Sequence, residues 1–309
     1  MSSDPREERF RRIFRRAHAD HPSCLRDEWL MEPCRLENGA RADRSVVWSR
    51  RNGPWRQVDV LWVGAAPGNA GGRGSGDMGA HATRIPFGGD IAGGNLDVLL
   101  GSVGLDRNRT FIVAALNQLP ARGGGEPRPV ELRAPVGDHA SSIHLLRDTL
   151  LAAGAGLVVV LGNVALRTAV AAARLQEQPR ITLPGLGRLE DAGLERGTAI
   201  AWPPALSPDR AFLDAWSGAW GRAPLPRLLW LLHPSAQNMS PYAGTDTAFH
   251  ARMVRTRDAL RRAAAEVLGG VPDRRMAPPT GGIYALPEWR AAIGSRHAEL
   301  DRIWREKGV

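Results

Sequence analysis

The chain has 309 residues, enough for one large α/β domain with a full core or for one domain with substantial appendages, and a single domain with tails is expected. An ordinary 43 % apolar share, no run near the roughly 18 to 20 apolar residues of a membrane span, and an N-terminus (SSDPREERFRRIFRR) too charged for a signal-peptide core point to a cytoplasmic protein with no membrane partner. The net charge of +9 suits a polyanionic partner, yet nearly every basic residue is Arg, with Lys307 the only lysine, and abundant Ala, Gly and Pro tie part of that bias to GC-rich codons.

An N-terminal basic amphipathic helix is expected over residues 5 to 18, followed by an irregular stretch that holds both cysteines. The run VDVLWVG, ending at Gly64, is the first strong strand; its near-continuous apolar character is what a parallel strand covered on both faces requires. A Gly-rich loop follows from Ala65 to about Gly94, then a helix over 95–103 and a second buried strand, TFIVAALN, ending at Asn117. A polar loop, a helix over 139–153, the strand GLVVVLG ending at Gly162 and the helix NVALRTAVAAARL come next. Residues 176–207 read as a hairpin or extended insertion. A short helix at 210–220 precedes the strand RLLWLLH ending at His233, and a long Arg-rich helix over 247–268 closes the core. The tail from Gly269 to Val309 ends in a charged helix and is either packed on the core or partly mobile. The expected division is therefore 1–56 as N-terminal segment, 57–268 as catalytic domain and 269–309 as C-terminal appendage.

Buried strands alternating with helices imply a mainly parallel four-stranded sheet with right-handed crossovers, all four strand ends at one edge. That edge is where open α/β sheets bind ligands. The loop after the first strand, GAAPGN and then IPFGGDIAGG, lacks the GxxxxGK[ST] pattern and a clean GxGxxG, so its glycines serve close approach of backbone to a ligand rather than a phosphate loop. Phe87, Asp90, Asn117 and His233 bring an aromatic, a carboxylate, an amide and an imidazole to the one edge, a kit for holding a flat heterocycle. Taken singly, His233 reads as well as a structural histidine, and Asp90 as a helix N-cap.

The order GAAPG, PFGGDIAG, Asn after a strand, LGNVAL and HPSAQN, spanning about 58–244, resembles the uracil-DNA glycosylase superfamily; Asp90 in Gly-Asp-x-Ala-Gly and Asn238 look most like family five, with family four the alternative. The resemblance implies a three-layer α/β/α fold and a DNA-repair glycosylase that hydrolyses the N-glycosidic bond of uracil, or of hypoxanthine or xanthine, flipped out of DNA. It implies that Phe87 stacks on the base, Asn117 reads its Watson–Crick edge, and His233 hydrogen-bonds its O2 oxygen. Ala66 stands where the best-known uracil enzymes carry an Asp, and the resemblance to family five implies instead that Asp90, with Asn69 in reserve, positions the water. Gly68 stands where uracil-only enzymes have a Tyr, which implies a roomier pocket. The stretch Ser235, Ala236, Gln237, Asn238, Met239 resembles the loop that wedges into the duplex, filled by Met239 or Gln237, and Arg252, Arg255, Arg257, Arg261 and Arg262 are candidate phosphate contacts or a solvated face.

Families four and five typically carry an iron-sulfur cluster held by four cysteines, whereas this chain has Cys24 and Cys34 alone, expected as reduced thiols, with a disulfide or a mixed metal site as alternatives. No cofactor and no metal are expected, and local packing must replace the cluster. A monomer acting on DNA with a deaminated base is expected, monofunctional because Lys307 lies in a terminus read as mobile and exposed. The departures from the family pattern keep a second reading open, a DNA-binding or damage-sensing member of the same fold that has lost turnover.

Overall fold

Four short, nearly unbroken apolar runs set the architecture. In a computed structural model that describes residues 5–17, 19, 34–35, 41–42, 60–67, 87, 91–116, 120, 126–175, 181–272, 275–285 and 287–309, they become β1 (Val60–Gly64), β2 (Thr110–Ala114), β3 (Leu157–Leu161) and β5 (Arg227–Leu231). All four are parallel, with registers such as Val60↔Thr110, Val60↔Leu157 and Leu157↔Arg227. The two-residue β4 (Ala199–Ile200) pairs antiparallel on the outer side of β5, so the sheet order is β2-β1-β3-β5-β4. Sequence reading put four strands in this sheet and a hairpin or extended insertion at 176–207; among the described residues that insertion contains a short helix (Leu186–Asp191) and β4 instead. Gly197 N–H donates to Trp230 O (2.8 Å), so the insertion shields the edge that β5 would otherwise expose.

Side chains along a strand alternate between faces, and the core splits accordingly. Leu61, Val63, Phe111, Val113, Val158, Val160, Leu228 and Trp230 face α1 (Pro5–Ala17), α3 (Ser142–Ala153), α4 (Gly162–Ala173) and α5 (Arg210–Trp220). Val60, Trp62, Ile112, Val159 and Leu229 face α2 (Ile91–Ser102), α6 (Ala248–Leu268) and α7 (Ser295–Glu306). The result is a three-layer α/β/α fold. The helix after β1 lies on one face and those after β2 and β3 on the other, so the chain changes face between β1 and β3, and their carboxyl ends open a crevice.

Local chemistry sets the helix limits. Ser141 Oγ accepts from His144 N–H (3.3 Å) to start α3 and Gly154 ends it at φ 57°. Asp209 caps α5 through Phe212 N–H (2.7 Å) while Arg147 grips both its oxygens at 2.9 and 2.8 Å. The helix expected to begin near 95 starts at Ile91. The segment after Gly269 is packed on the core where it is described: Leu300 and Trp304 are fully buried against α2, and Trp289 and Val309 are nearly so.

Candidate active site

The carboxyl ends of β1, β2, β3 and β5 meet at one edge, as parallel pairing demands. β1 runs on through half-buried Ala65, Ala66 and Pro67, and Ala115 N–H to Gly64 O (2.8 Å) and Leu116 N–H to Ala65 O (3.0 Å) carry the β1–β2 pairing past the strand ends. Asn117 is the next residue in sequence. It, Gly68, Asn69 and Asp90 lie outside the described residues.

Phe87 and His233 are brought together. Their ring centroids lie 5.3 Å apart with the planes tilted by 33°. The Phe87 ring rests on the end of β1, its Cζ 3.2 Å from where a Cβ on Gly64 would stand, so the residue that closes the strand leaves room for the ring. Phe87 itself has φ 55°, a left-handed backbone that costs an L-residue roughly 1 to 2 kcal/mol. Its carbonyl sits against α2, 1.8 Å from the point a Cβ on Gly93 would occupy, and accepts from Arg107 Nη2 (3.3 Å). Gly93 is therefore required for this approach.

Arg107 is fully buried and bound to Asp97 of α2, Nε to Oδ1 at 2.5 Å, with both side chains at most 1 % exposed. Asp97 Oδ2 accepts from Trp289 Nε1 (3.1 Å), and Tyr284 Oη accepts from Arg107 N–H (2.8 Å). Burial first, and the Asp97 charge after it, push the Tyr284 phenol well above its usual range, so it stays a hydroxyl. The wall that carries Phe87 is thus fixed from behind by residues of the C-terminal segment.

The half-buried His233 begins a tight loop. Asn238 Nδ2 donates to His233 O (3.0 Å) and to Ser235 Oγ (3.4 Å), and the amides of Asn238 and Met239 donate to Ser235 O at 3.0 and 2.8 Å. From α2, the fully buried Asn95 donates through Nδ2 to Pro234 O (2.9 Å) and Met239 O (3.0 Å). Ala236 and Gln237 are exposed at the loop tip. Met239, expected as one of two wedge candidates, is fully buried in the core on the α2 side, because the turn over Ser235 to Asn238 returns the chain to that core before Met239. Asn238, expected at the DNA, has its amide nitrogen committed inside the loop.

Beside this loop, Arg196, Arg252 and Arg255 line a cleft of about 380 Å³ together with Leu232 and Asn238. Arg196 stacks over the Trp230 ring at 4.5 Å and donates to Asn163 Oδ1 (3.2 Å); Arg252 donates to Asn238 O (3.5 Å). Of the five arginines singled out on α6, Arg257 and Arg261 point away from this cleft and bond to the fold. Arg257 pairs with Asp258 (2.7 Å), and Arg261 holds Ser102 O (2.6 Å) and Pro272 O (3.2 Å). Arg262 is exposed.

Lys307, expected in a mobile, exposed end, is half-buried: its Nζ donates to Ala243 O and its carbonyl accepts from His250 Nε2 (3.1 Å). Packing of α7 on α2 is what orders this end. A cluster held by four cysteine thiolates does not fit this chain, whose two cysteines provide half the donors. Sequence reading missed Asn95, Asp97, Arg107, Trp289, Trp304 and Arg196. A signal for the first two was present: α2 is apolar all round and hence buried, so an Asn and an Asp inside it must find internal partners.

A family model described as the uracil DNA glycosylase superfamily matches residues 51–256. No curated protein matches the chain.

Proposed function

Because the chain belongs to the uracil DNA glycosylase superfamily, we propose that it is a monofunctional DNA-repair glycosylase, closest to family five, that hydrolyses the N-glycosidic bond of uracil or a related deaminated base flipped out of DNA. The observation that carries this reading is the pair of rings at the parallel-sheet edge, Phe87 and His233 at 5.3 Å, one suited to stack on a flat base and the other to hydrogen-bond its rim. In the reaction water adds to the sugar C1′ as the bond from C1′ to the base nitrogen breaks. The electron pair of that bond leaves with the base, and the water gives up its proton to the Asp90 carboxylate, or to solvent where Asn69 holds it. A hydrogen bond from His233 to the O2 oxygen, where negative charge develops, accounts for roughly 2 to 4 kcal/mol of such a barrier. Asn117 reads the base edge, Asp90 or failing that Asn69 positions the water, and hypoxanthine or xanthine is a further substrate because Gly68 replaces the Tyr of uracil-only enzymes.

Gln237, exposed at the tip of the His233 loop, takes the place of the departed base in the duplex. Arg196, Arg252 and Arg255 seat backbone phosphates in the adjoining cleft. Strand-cutting glycosylases commonly attack with an amine, but the one lysine, Lys307, is tied to Ala243 O, which favours water as the nucleophile.

The test is to incubate the protein with uracil- and hypoxanthine-containing oligonucleotides and then cleave abasic sites with alkali. Cleavage at the modified base, with no protein–DNA adduct trapped by borohydride, is expected. Tight binding of an uncut strand replaces this reading with that of a damage-binding protein that has lost turnover, and absence of both binding and cleavage rejects the two together.

A further inference from the structure

We propose that Asn95 and Trp304 are positioning residues for His233, so that the C-terminal helix holds the imidazole of the site in place; the proposal rests on the glycosylase reading. Asn95 belongs to α2, not to the sheet edge, and is fully buried, as is Trp304 of α7. Its amide nitrogen has two hydrogens, and both ends of the His233 loop take one each: Pro234 O at 2.9 Å and Met239 O at 3.0 Å. Asn95 Oδ1 accepts from Trp304 Nε1 at 3.0 Å. The indole thereby fixes which way the amide points. Were the amide turned over, its oxygen would face two carbonyl oxygens and its nitrogen the indole donor, a repulsive arrangement at every contact.

The consequence reaches the chemistry through one peptide. Pro234 follows His233 directly, and its carbonyl has an anchor that does not belong to the loop. The loop's own bonds, Asn238 to His233 O and the amides of Asn238 and Met239 to Ser235 O, hold its shape. Asn95 holds its position relative to α2. Against that same helix sits the Phe87 carbonyl, packed on Gly93. Both rings that would contact the base are thus referenced to one helix, and α7 sets the polar link to the His233 side. A donor to a developing oxyanion must be placed to a fraction of an ångström, and displacements of about 1 Å can cost on the order of 100-fold.

The experiment compares Trp304→Phe with Leu300→Ala. The first keeps a ring in the core and removes the donor to Asn95; the second removes apolar packing of α7 on α2 with no polar link to the loop. Single-turnover excision, DNA affinity, urea unfolding and amide hydrogen exchange are measured for both. Trp304→Phe is expected to slow excision by about tenfold or more with DNA affinity within about twofold of the parent. Exchange at the amides of Asn238 and Met239 is expected to accelerate. Leu300→Ala is expected to lower stability with excision and loop exchange near those of the parent. Excision and loop exchange unaffected by Trp304→Phe, or slowed and accelerated equally by Leu300→Ala, would overturn the positioning role. If the parent protein excises no base, the glycosylase reading fails by itself, and loop exchange still decides whether the clamp exists.

Discussion

Arg107→Leu tests whether the wall behind Phe87 rests on a buried ion pair. Asp97 and Arg107 meet at 2.5 Å with both side chains at most 1 % exposed, so neither charge has water to fall back on. Removing the guanidinium leaves the carboxylate with Trp289 Nε1 at 3.1 Å, which does not neutralise it. Breaking one side of such a pair costs about 3 to 5 kcal/mol. Asp97→Leu is expected to cost a similar amount, because the guanidinium loses its carboxylate. The double variant is different. No uncompensated charge remains, and the losses, which among the described residues include the hydrogen bonds to Trp289 Nε1 and Phe87 O at about 1 kcal/mol each, are expected to fall well short of the sum of the two single effects. Urea unfolding followed by fluorescence of the ten tryptophans measures all four proteins, with an unchanged m-value confirming a common transition. A double variant that lost the sum of the two single effects would refute the reasoning, as would single variants within about 1 kcal/mol of the parent.

His233→Ala is expected to reduce single-turnover excision by on the order of 100-fold or more with the urea midpoint nearly unchanged, because a half-buried loop side chain carries little of the core; turnover near that of the parent removes the central assignment. Replacing Arg196, Arg252 and Arg255 by Ala one at a time is expected to weaken binding of any DNA sequence and to lower the slope of log affinity against log salt by about one per residue that contacts a phosphate; unchanged slopes place the strand elsewhere. The purified protein is expected to be colourless, since two cysteines cannot hold a cluster of the usual kind, and stoichiometric iron by elemental analysis contradicts that.

The four parallel strands were legible because each is a nearly unbroken apolar run of the right length, and the bounds of α5 were legible because Asp209 supplies the cap that Phe212 N–H needs. β4 was not: two residues have no period, and Ala199–Ile200 is a strand only because β5 has an edge to cover. The early start of α2 was hidden by Gly93 and Gly94, which read as loop but serve packing; a Cβ on Gly93 would strike the Phe87 carbonyl. In the site, the order of motifs along the chain brought Phe87 and His233 to one edge. It misplaced Met239, whose position after a polar loop suggested exposure, whereas the bond from its amide to Ser235 O turns it inward. The support behind the rings was invisible for a plainer reason. Trp289 lies 192 residues from Asp97 and Trp304 lies 209 from Asn95, so no local pattern links the members of either pair.

The distribution of polar groups in α2 argues for a division of labour. A helix buried on all sides gains most from apolar residues, and a buried ion pair or amide contributes little over well-packed apolar side chains of the same volume. Asn95 and Asp97 are therefore poor choices for stability alone. Apolar contacts are non-directional, whereas each of these two side chains fixes a partner at a set distance and angle: Asn95 the two ends of the His233 loop, Asp97 the guanidinium that reaches the Phe87 carbonyl. Both are in turn oriented by an indole N–H from the C-terminal segment. The distinction is measurable in the Asp97 and Arg107 double variant, which should keep most of the stability while releasing Phe87 from its left-handed backbone, and should therefore excise slowly although it is folded.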